Sequence, residues 1–354
     1  MNQPLVLIRP RCEHPETARR LSEVLAYALE GSAVSTIETA AALHPLKGKK
    51  ILFAVMVGET GINLEYFAML QWMREHPGCL EGSVGGVLVD GASELYTKSI
   101  GSELVFTANL AGCTFPGRPL VEGTGSLGNF TILARTMETD RFGAYLRSAR
   151  ELVERVCGFS QPRFERPKLL AVHASSHKTS NTLALWRRVR EQIGDRCEIS
   201  EFNLRNGEIS DCSGCPYTMC LHFGEQGGCF YGGVMVDEVF PAIRQANALV
   251  MLCPNYNDAL SANLTAFINR LTALFRQVRF YDKALFAIAV SGYSGNDIIA
   301  KQLICALNMN KTFYLPARFS MLETANSAGD ACKLPGIDQR IACFSQQLAA
   351  FCDQ

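Results

Sequence analysis

The chain has 354 residues, 48% of them apolar and 19% charged, with 34 Lys and Arg balanced by 34 Asp and Glu. Such a chain is long enough for two hydrophobic cores and too apolar to stay disordered. Its zero net charge offers no overall basic field to nucleic acid or to an anionic membrane. No apolar run approaches the roughly 18 residues of a spanning helix, and the first ten residues lack a basic region followed by an apolar core. A cytoplasmic setting is therefore expected.

Residues 1–157 read as one α/β domain. Leu5–Ile8, 51–57 and 84–89 are apolar runs of strand length, and 18–29 and 64–73 carry apolar residues at helical spacing. Two glycine-bearing segments, 57–63 and 122–129, match no dinucleotide motif and read as tight turns. His14, His44 and His76 show no ligand spacing, so this half is assigned no chemistry.

Residues 158–167, with Pro162, Pro167 and mixed charge, read as a linker to a second domain at 168–354. Strands are expected at 169–173, 197–204, 248–253, 284–290 and 311–319. Helices are expected between and after them at 182–193, 236–243, 261–277, 296–307 and 338–351. In the third, Leu264, Phe267, Ile268, Leu271 and Phe275 form one apolar face. The unbroken apolar run 248–253 fits a strand covered on both faces, and alternation of five strands with helices predicts a doubly wound parallel sheet, with ligands beyond its C-terminal strand ends.

Three loops fall at that edge. The first supplies Ser175, Ser176, Thr179, Ser180 and Thr182 hydroxyls, His177, the Asn181 amide and the free N–H groups of a coming helix. Donors converging on a helix N-terminus suit a phosphate, and the absence of P-loop or dinucleotide glycines argues against ATP and NAD at this place. The second brings Pro254, Asn255, Tyr256, Asn257 and Ser261, a stiff turn with a flat ring and polar groups for the edge of a planar ligand. The third, Ser291, Gly292, Tyr293, Ser294 and Gly295, has glycines that allow close backbone approach. Ser180, Thr182 and Ser261 also read as helix caps.

These loops resemble those of the NAD(P)H-dependent FMN reductase family and its relatives, the iron–sulfur flavoproteins. The family's phosphate loop, Gly-Ser-x-Arg-x-x-(Ser/Gly)-Asn-Thr, is matched by residues 174–182, with Ala174 in place of the glycine and His177 in place of the arginine. Its Pro-x-Tyr loop and following helix pattern are matched by Pro254, Tyr256, Thr265, Phe267, Ile268, Asn269 and Arg270. The resemblance, spanning about residues 168–319, implies a flavodoxin-like sheet of order 2-1-3-4-5 and FMN held by the three loops. It further implies NAD(P)H as co-substrate, a small-molecule or protein electron acceptor, and a homo-oligomer. The flavin performs the redox chemistry, so no catalytic side chain is required.

Of the 14 cysteines, Cys212, Cys215, Cys220 and Cys229 lie within one loop, separated by two, four and eight residues. Four thiolates meet the ligand count of a [4Fe–4S] centre or of structural zinc, and unligated thiols remain a third reading. The spacing resembles the iron–sulfur flavoproteins without reproducing their compact motif. The functional expectation is an FMN-dependent oxidoreductase of the NAD(P)H:flavin or quinone reductase type, with a cluster as relay. Its rivals are a non-catalytic electron carrier between partner proteins and an FMN-free binding module.

Overall fold

The computed structural model describes residues 4–12, 18–175 and 179–350. The chain divides into two compact units, residues 1–160 and 161–354. Among the described residues each unit carries a five-stranded sheet, and no helix is long and apolar enough to cross a membrane.

The first unit contains β1 (Leu5–Ile8), β2 (Val34–Ile37), β3 (Lys50–Val57), β4 (Val84–Gly91) and β5 (Leu120–Gly123). They pair in parallel in the order β2-β1-β3-β4-β5. The helices are α1 (Arg19–Ala28), α2 (Leu64–Glu75), α3 (Thr97–Leu110), α4 (Thr131–Thr136) and α5 (Arg141–Gly158). β3 and β4 are buried along nearly their whole length, as parallel strands between two helical layers must be. α1 buries Leu21, Val24, Leu25 and Ala28, the spacing of one helical face. β2 and β5 were silent in the sequence for a physical reason. The first three residues of β2 are exposed at the sheet edge, so Val-Ser-Thr-Ile needs no apolar pattern.

The second unit contains β6 (Lys168–His173), β7 (Glu198–Asn203), β8 (Ala248–Pro254), β9 (Ala284–Ser291) and β10 (Ser320–Thr324). Its parallel sheet runs β10-β9-β8-β6-β7. Counted from the unit's first strand this is 2-1-3-4-5, the flavodoxin-like order. Helices α6 (Asn181–Ile193), α7 (Tyr217–Glu225), α8 (Phe240–Gln245), α9 (Ala262–Phe275), α10 (Asn296–Leu303) and α11 (Ile337–Ala349) complete it. α9 carries Leu264, Phe267, Leu271 and Leu274 fully into the core, each burial stabilising by about 1.5–3 kcal/mol.

One expected strand is displaced. Residues 311–319 make only an isolated bridge, Tyr314 with Ala284, and the fifth strand is Ser320–Thr324. Pro316 lacks an N–H for a ladder, and Arg318 turns into the left-handed region at φ 52°. The apolar run therefore packs without pairing, and the strand starts after the turn.

Candidate functional site

The switch point of the second sheet lies between β6 and β8, where chain connections leave in opposite directions. A cavity of 280 Å³ opens there, lined by Ser175, Thr179, Ser180, Asn181, Thr182, Pro254, Tyr256, Val290, Ala325, Asn326 and Ala328. Seven of these are expected from the sequence. Val290, at the end of β9, is not, and nor are the three residues after β10, because placing the fifth strand at 311–319 hid the loop that follows the true one. Ser176 and His177 lie outside the described residues.

The first loop is built on a buried histidine. His173, the last residue of β6, is 4% exposed, and its Nδ1 accepts from the Ser175 N–H at 3.3 Å. An accepting Nδ1 leaves the proton on Nε2, which donates to Glu201 Oε1 at 3.3 Å. Glu201 also accepts from Trp186 Nε1 at 3.0 Å and Arg190 Nη1 at 3.2 Å. Its carboxyl is held down at about 2, first by the His173 hydrogen bond and then by Trp186 and the Arg190 charge, against a penalty from burial. β6, β7 and α6 are thus tied together directly beneath the loop.

Ser180 is the N-cap of α6, accepting from Leu183 N–H at 3.3 Å. Asn181 does a different job from the one expected. Its Nδ2 donates to Ala325 O and Ser327 O, and its Oδ1 accepts from Gly329 N–H at 2.8 Å and Ala331 N–H at 3.4 Å. It pins the loop after β10 to the start of α6 while lining the cavity. Thr182 is buried, and Ser175 nearly so.

In the second loop Tyr256 and Ala259 exchange backbone hydrogen bonds, and Asn257 and Asp258 between them have φ of 54° and 57°. Two positive φ values describe a type I′ turn. Asn257 serves that turn and does not line the cavity. Tyr256 is half exposed and its side of the turn borders the cavity. Asn255 Nδ2 braces the third loop, donating to Ser294 O at 2.9 Å and to Ser291 Oγ at 3.4 Å. Asn255 Oδ1 and the Ser261 Oγ at the N-cap of α9 are buried without a hydrogen-bond partner in the described structure.

The third loop closes on itself. Ser291 Oγ donates to Ser294 O and accepts from Tyr293 N–H. Gly295, at φ 87°, caps α10 where a Cβ would lie 2.9 Å from Asn255 Nδ2. Ser291, Gly292, Tyr293 and Gly295 stand beside the cavity-lining loops without lining the cavity themselves, and Tyr293 projects into solvent.

The cysteine loop folds round a second cavity of 280 Å³, which Cys212, Cys215, Cys220 and Cys229 share with Tyr217, Phe223, Phe230, Tyr231, Arg270 and Arg276. α7, absent from the sequence reading, carries Cys220, and the Arg276 guanidinium stacks over the Tyr217 ring at 4.5 Å. The four thiols face one space. Among the described residues, however, no three His, Cys, Asp or Glu side chains approach closely enough to hold a metal.

Residues 167–327 match the family model described as NADPH-dependent FMN reductase. That stretch contains the cysteine loop and every cavity-lining residue except Ala328. The FMN reductase match is accompanied by a curated relative, the iron–sulfur flavoprotein of Archaeoglobus fulgidus, 31% identical over 122 residues. The matched stretch is 33% of this chain and 56% of the relative, so the chain spans about half of that protein's length. Solved structures with similar arrangements include RosB with bound 8-demethyl-8-formylriboflavin-5'-phosphate (TM-score 0.41, 12% identity, 52% of this chain and 78% of that one). Another is the NAD(P)H:quinone oxidoreductase of Methanothermobacter marburgensis (TM-score 0.38, 14% identity, 52% of this chain and 95% of that one).

Proposed function

We propose that the C-terminal unit binds FMN at the β6/β8 switch point and acts as an NAD(P)H-dependent oxidoreductase toward a small-molecule acceptor of the quinone class. The observation that carries this reading is the cavity between the hydroxyl-rich loop and Tyr256, inside the stretch matched to the FMN reductase family. The donor set fits a mononucleotide phosphate. Ser175, Thr179, Ser180 and Thr182 border the cavity, and the first N–H groups of α6 open toward the same end. The Tyr256 ring suits the face of a planar ring system.

When bound, FMN would accept a hydride from the nicotinamide and release the electrons to the acceptor. The chain's own residues hold and orient. His173 fixes the Ser175 amide, Asn181 sets the height of the loop after β10, and Asn255 keeps the second and third loops in register. The four thiols round one cavity and the named relative favour an additional reading, an iron–sulfur centre in the cysteine loop. Such a centre requires that loop to draw its thiols inward from the positions seen here.

Anaerobically purified protein tests both parts. The two visible bands of oxidised flavin, bleached directly by NADH or NADPH, support the enzyme. Reduction only through a partner protein supports an electron carrier instead. Ser175→Asp sets a charge against the phosphate and abolishes FMN retention, and full retention refutes the phosphate-loop assignment. Cys215→Ser removes iron if the cysteine loop holds a cluster, and iron-free wild-type protein rules the cluster out.

A further inference from the structure

The two units share more than a strand order. Leu5 pairs with Val34 as Leu169 pairs with Ile199, and Val6 pairs with Ile51 as Leu170 pairs with Leu249. Ile51 pairs with Gly85 as Leu249 with Leu285, and Val87 with Leu120 as Ala287 with Ser320. The last two strands of each unit align at one and the same offset, Val87 with Ala287 and Leu120 with Ser320.

Irregular features repeat too. Val84 bridges Thr114 and Ala284 bridges Tyr314, each 30 residues on. Pro116 and Pro316 follow, and then Arg118 and Arg318, both left-handed at φ 54° and 52°. Left-handed arginines are uncommon and carry strain. Ahead of each bridge a fully buried asparagine donates Nδ2 to a carbonyl of the same connection, Asn109 to Cys113 O and Asn308 to Phe313 O. Strand order alone is common to many unrelated α/β folds, but irregularities repeated at the offset that aligns β4 and β5 with β9 and β10 go beyond it.

The alignment also pairs the two switch points, and there the units differ. The residue just before the buried face of each first helix is polar, Arg20 in α1 and Asn181 in α6. Both reach the loop after the fifth strand at equivalent carbonyls, Gly125 O and Ala325 O. Arg20 goes further. It donates to Gly91 O at 2.9 Å and to both oxygens of Asp90, whose carboxylate also accepts from Tyr145 Oη at 3.1 Å. Asp90 aligns with Val290, a wall of the open cavity in the second unit. Ala325, another wall, aligns with Gly125, where a Cβ would press on Ala92 O. The place that is hollow in one copy is filled by an ion pair and backbone in the other.

We propose that the N-terminal unit is an internal duplicate of the flavodoxin-like C-terminal unit, with its mononucleotide crevice shut by Arg20 and Asp90, leaving one flavin site per chain. The Arg20 guanidinium spends its donors on Asp90 and three carbonyls, so it has none left for an incoming phosphate. The 57–63 and 122–129 turns are the counterparts of the second flavin loop and of the loop after β10.

The proposal rests on the flavin reading of the second unit, and equivalent exposed positions separate the two. Ser126 and Asn326 align in the loops after β5 and β10, and both are exposed. FMN is titrated into the full-length chain and followed by quenching of flavin fluorescence. The expected result is one FMN per chain, unchanged in Ser126→Trp and weakened at least tenfold in Asn326→Trp. Two FMN per chain, or FMN displaced by Ser126→Trp, overturns the closed crevice while flavin binding itself stands. A chain that takes up no FMN overturns the flavin reading and the count of one together.

Discussion

Replacing Arg20 by methionine isolates what the ion pair of the first unit does. The Asp90 carboxylate is 1% exposed and faces Arg20 Nε at 2.9 Å. Burial already pushes this carboxyl above its ordinary range, and the Arg20 and Tyr145 hydrogen bonds restrain the rise. Removing one member of a buried pair strands the other charge, which costs about 3–5 kcal/mol. The cost must depend on pH in one direction. A carboxyl whose folded value is raised binds its proton more tightly when folded, so its contribution is most favourable below the unfolded value of about 4. That contribution is lost as pH rises through the folded value. Arg20→Met raises the folded value further, so its penalty is largest near neutrality and shrinks toward acid. Arg20→Met with Asp90→Leu removes both charges and recovers most of the loss. The chain has two tryptophans, Trp72 in the first unit and Trp186 in the second. Fluorine NMR of fluorotryptophan-labelled protein during denaturant titration therefore follows each unit separately. The Trp72 transition should move and the Trp186 transition should not. A pH-independent loss under about 1 kcal/mol, the size of an exposed pair, would refute the reasoning, as would a double variant no better than the single one.

Two further outcomes concern the second unit. His173→Ala releases the Ser175 amide, and losing one hydrogen bond of about 1 kcal/mol should weaken FMN several-fold, read by equilibrium titration. An unchanged dissociation constant would mean the histidine is only core. Glu201 has a folded value of about 2, well below its ordinary 4.5. Its stabilisation is therefore present above the unfolded value and lost as pH falls through the folded one. Glu201→Gln should flatten the acid limb of the Trp186 transition between about pH 4.5 and 2, and a limb as steep as wild type would show that other carboxylates set it.

What could be read in advance follows burial. β8 and β9 are unbroken apolar runs because both faces are covered, and their loops were placed correctly at the strand tips. The edge strand β2 has one buried residue in four and leaves no pattern to read. Phe313, Tyr314 and Leu315 looked like a strand because they are fully buried. Pairing, however, depends on backbone that Pro316 and Arg318 divert. That one displacement concealed Ala325, Asn326 and Ala328 as cavity walls. The polar loop residues were legible as a group but not in their separate tasks. Asn181, Asn255 and Asn257 are residue types equally suited to a ligand or to a turn, and only the fold reveals which backbone groups they reach.

A crevice sealed by its own charges does not wait for a nucleotide. Ligand binding stabilises only a unit that has somewhere to put the ligand, by RT ln(1 + L/Kd) at free ligand concentration L. On the proposed reading, the half built around Arg20 and Asp90 would hold its shape through any shortage of flavin, while its hollow counterpart would gain or lose firmness with supply. A chain made in flavin-starved cells would thus carry one finished half and one still open to its cofactor.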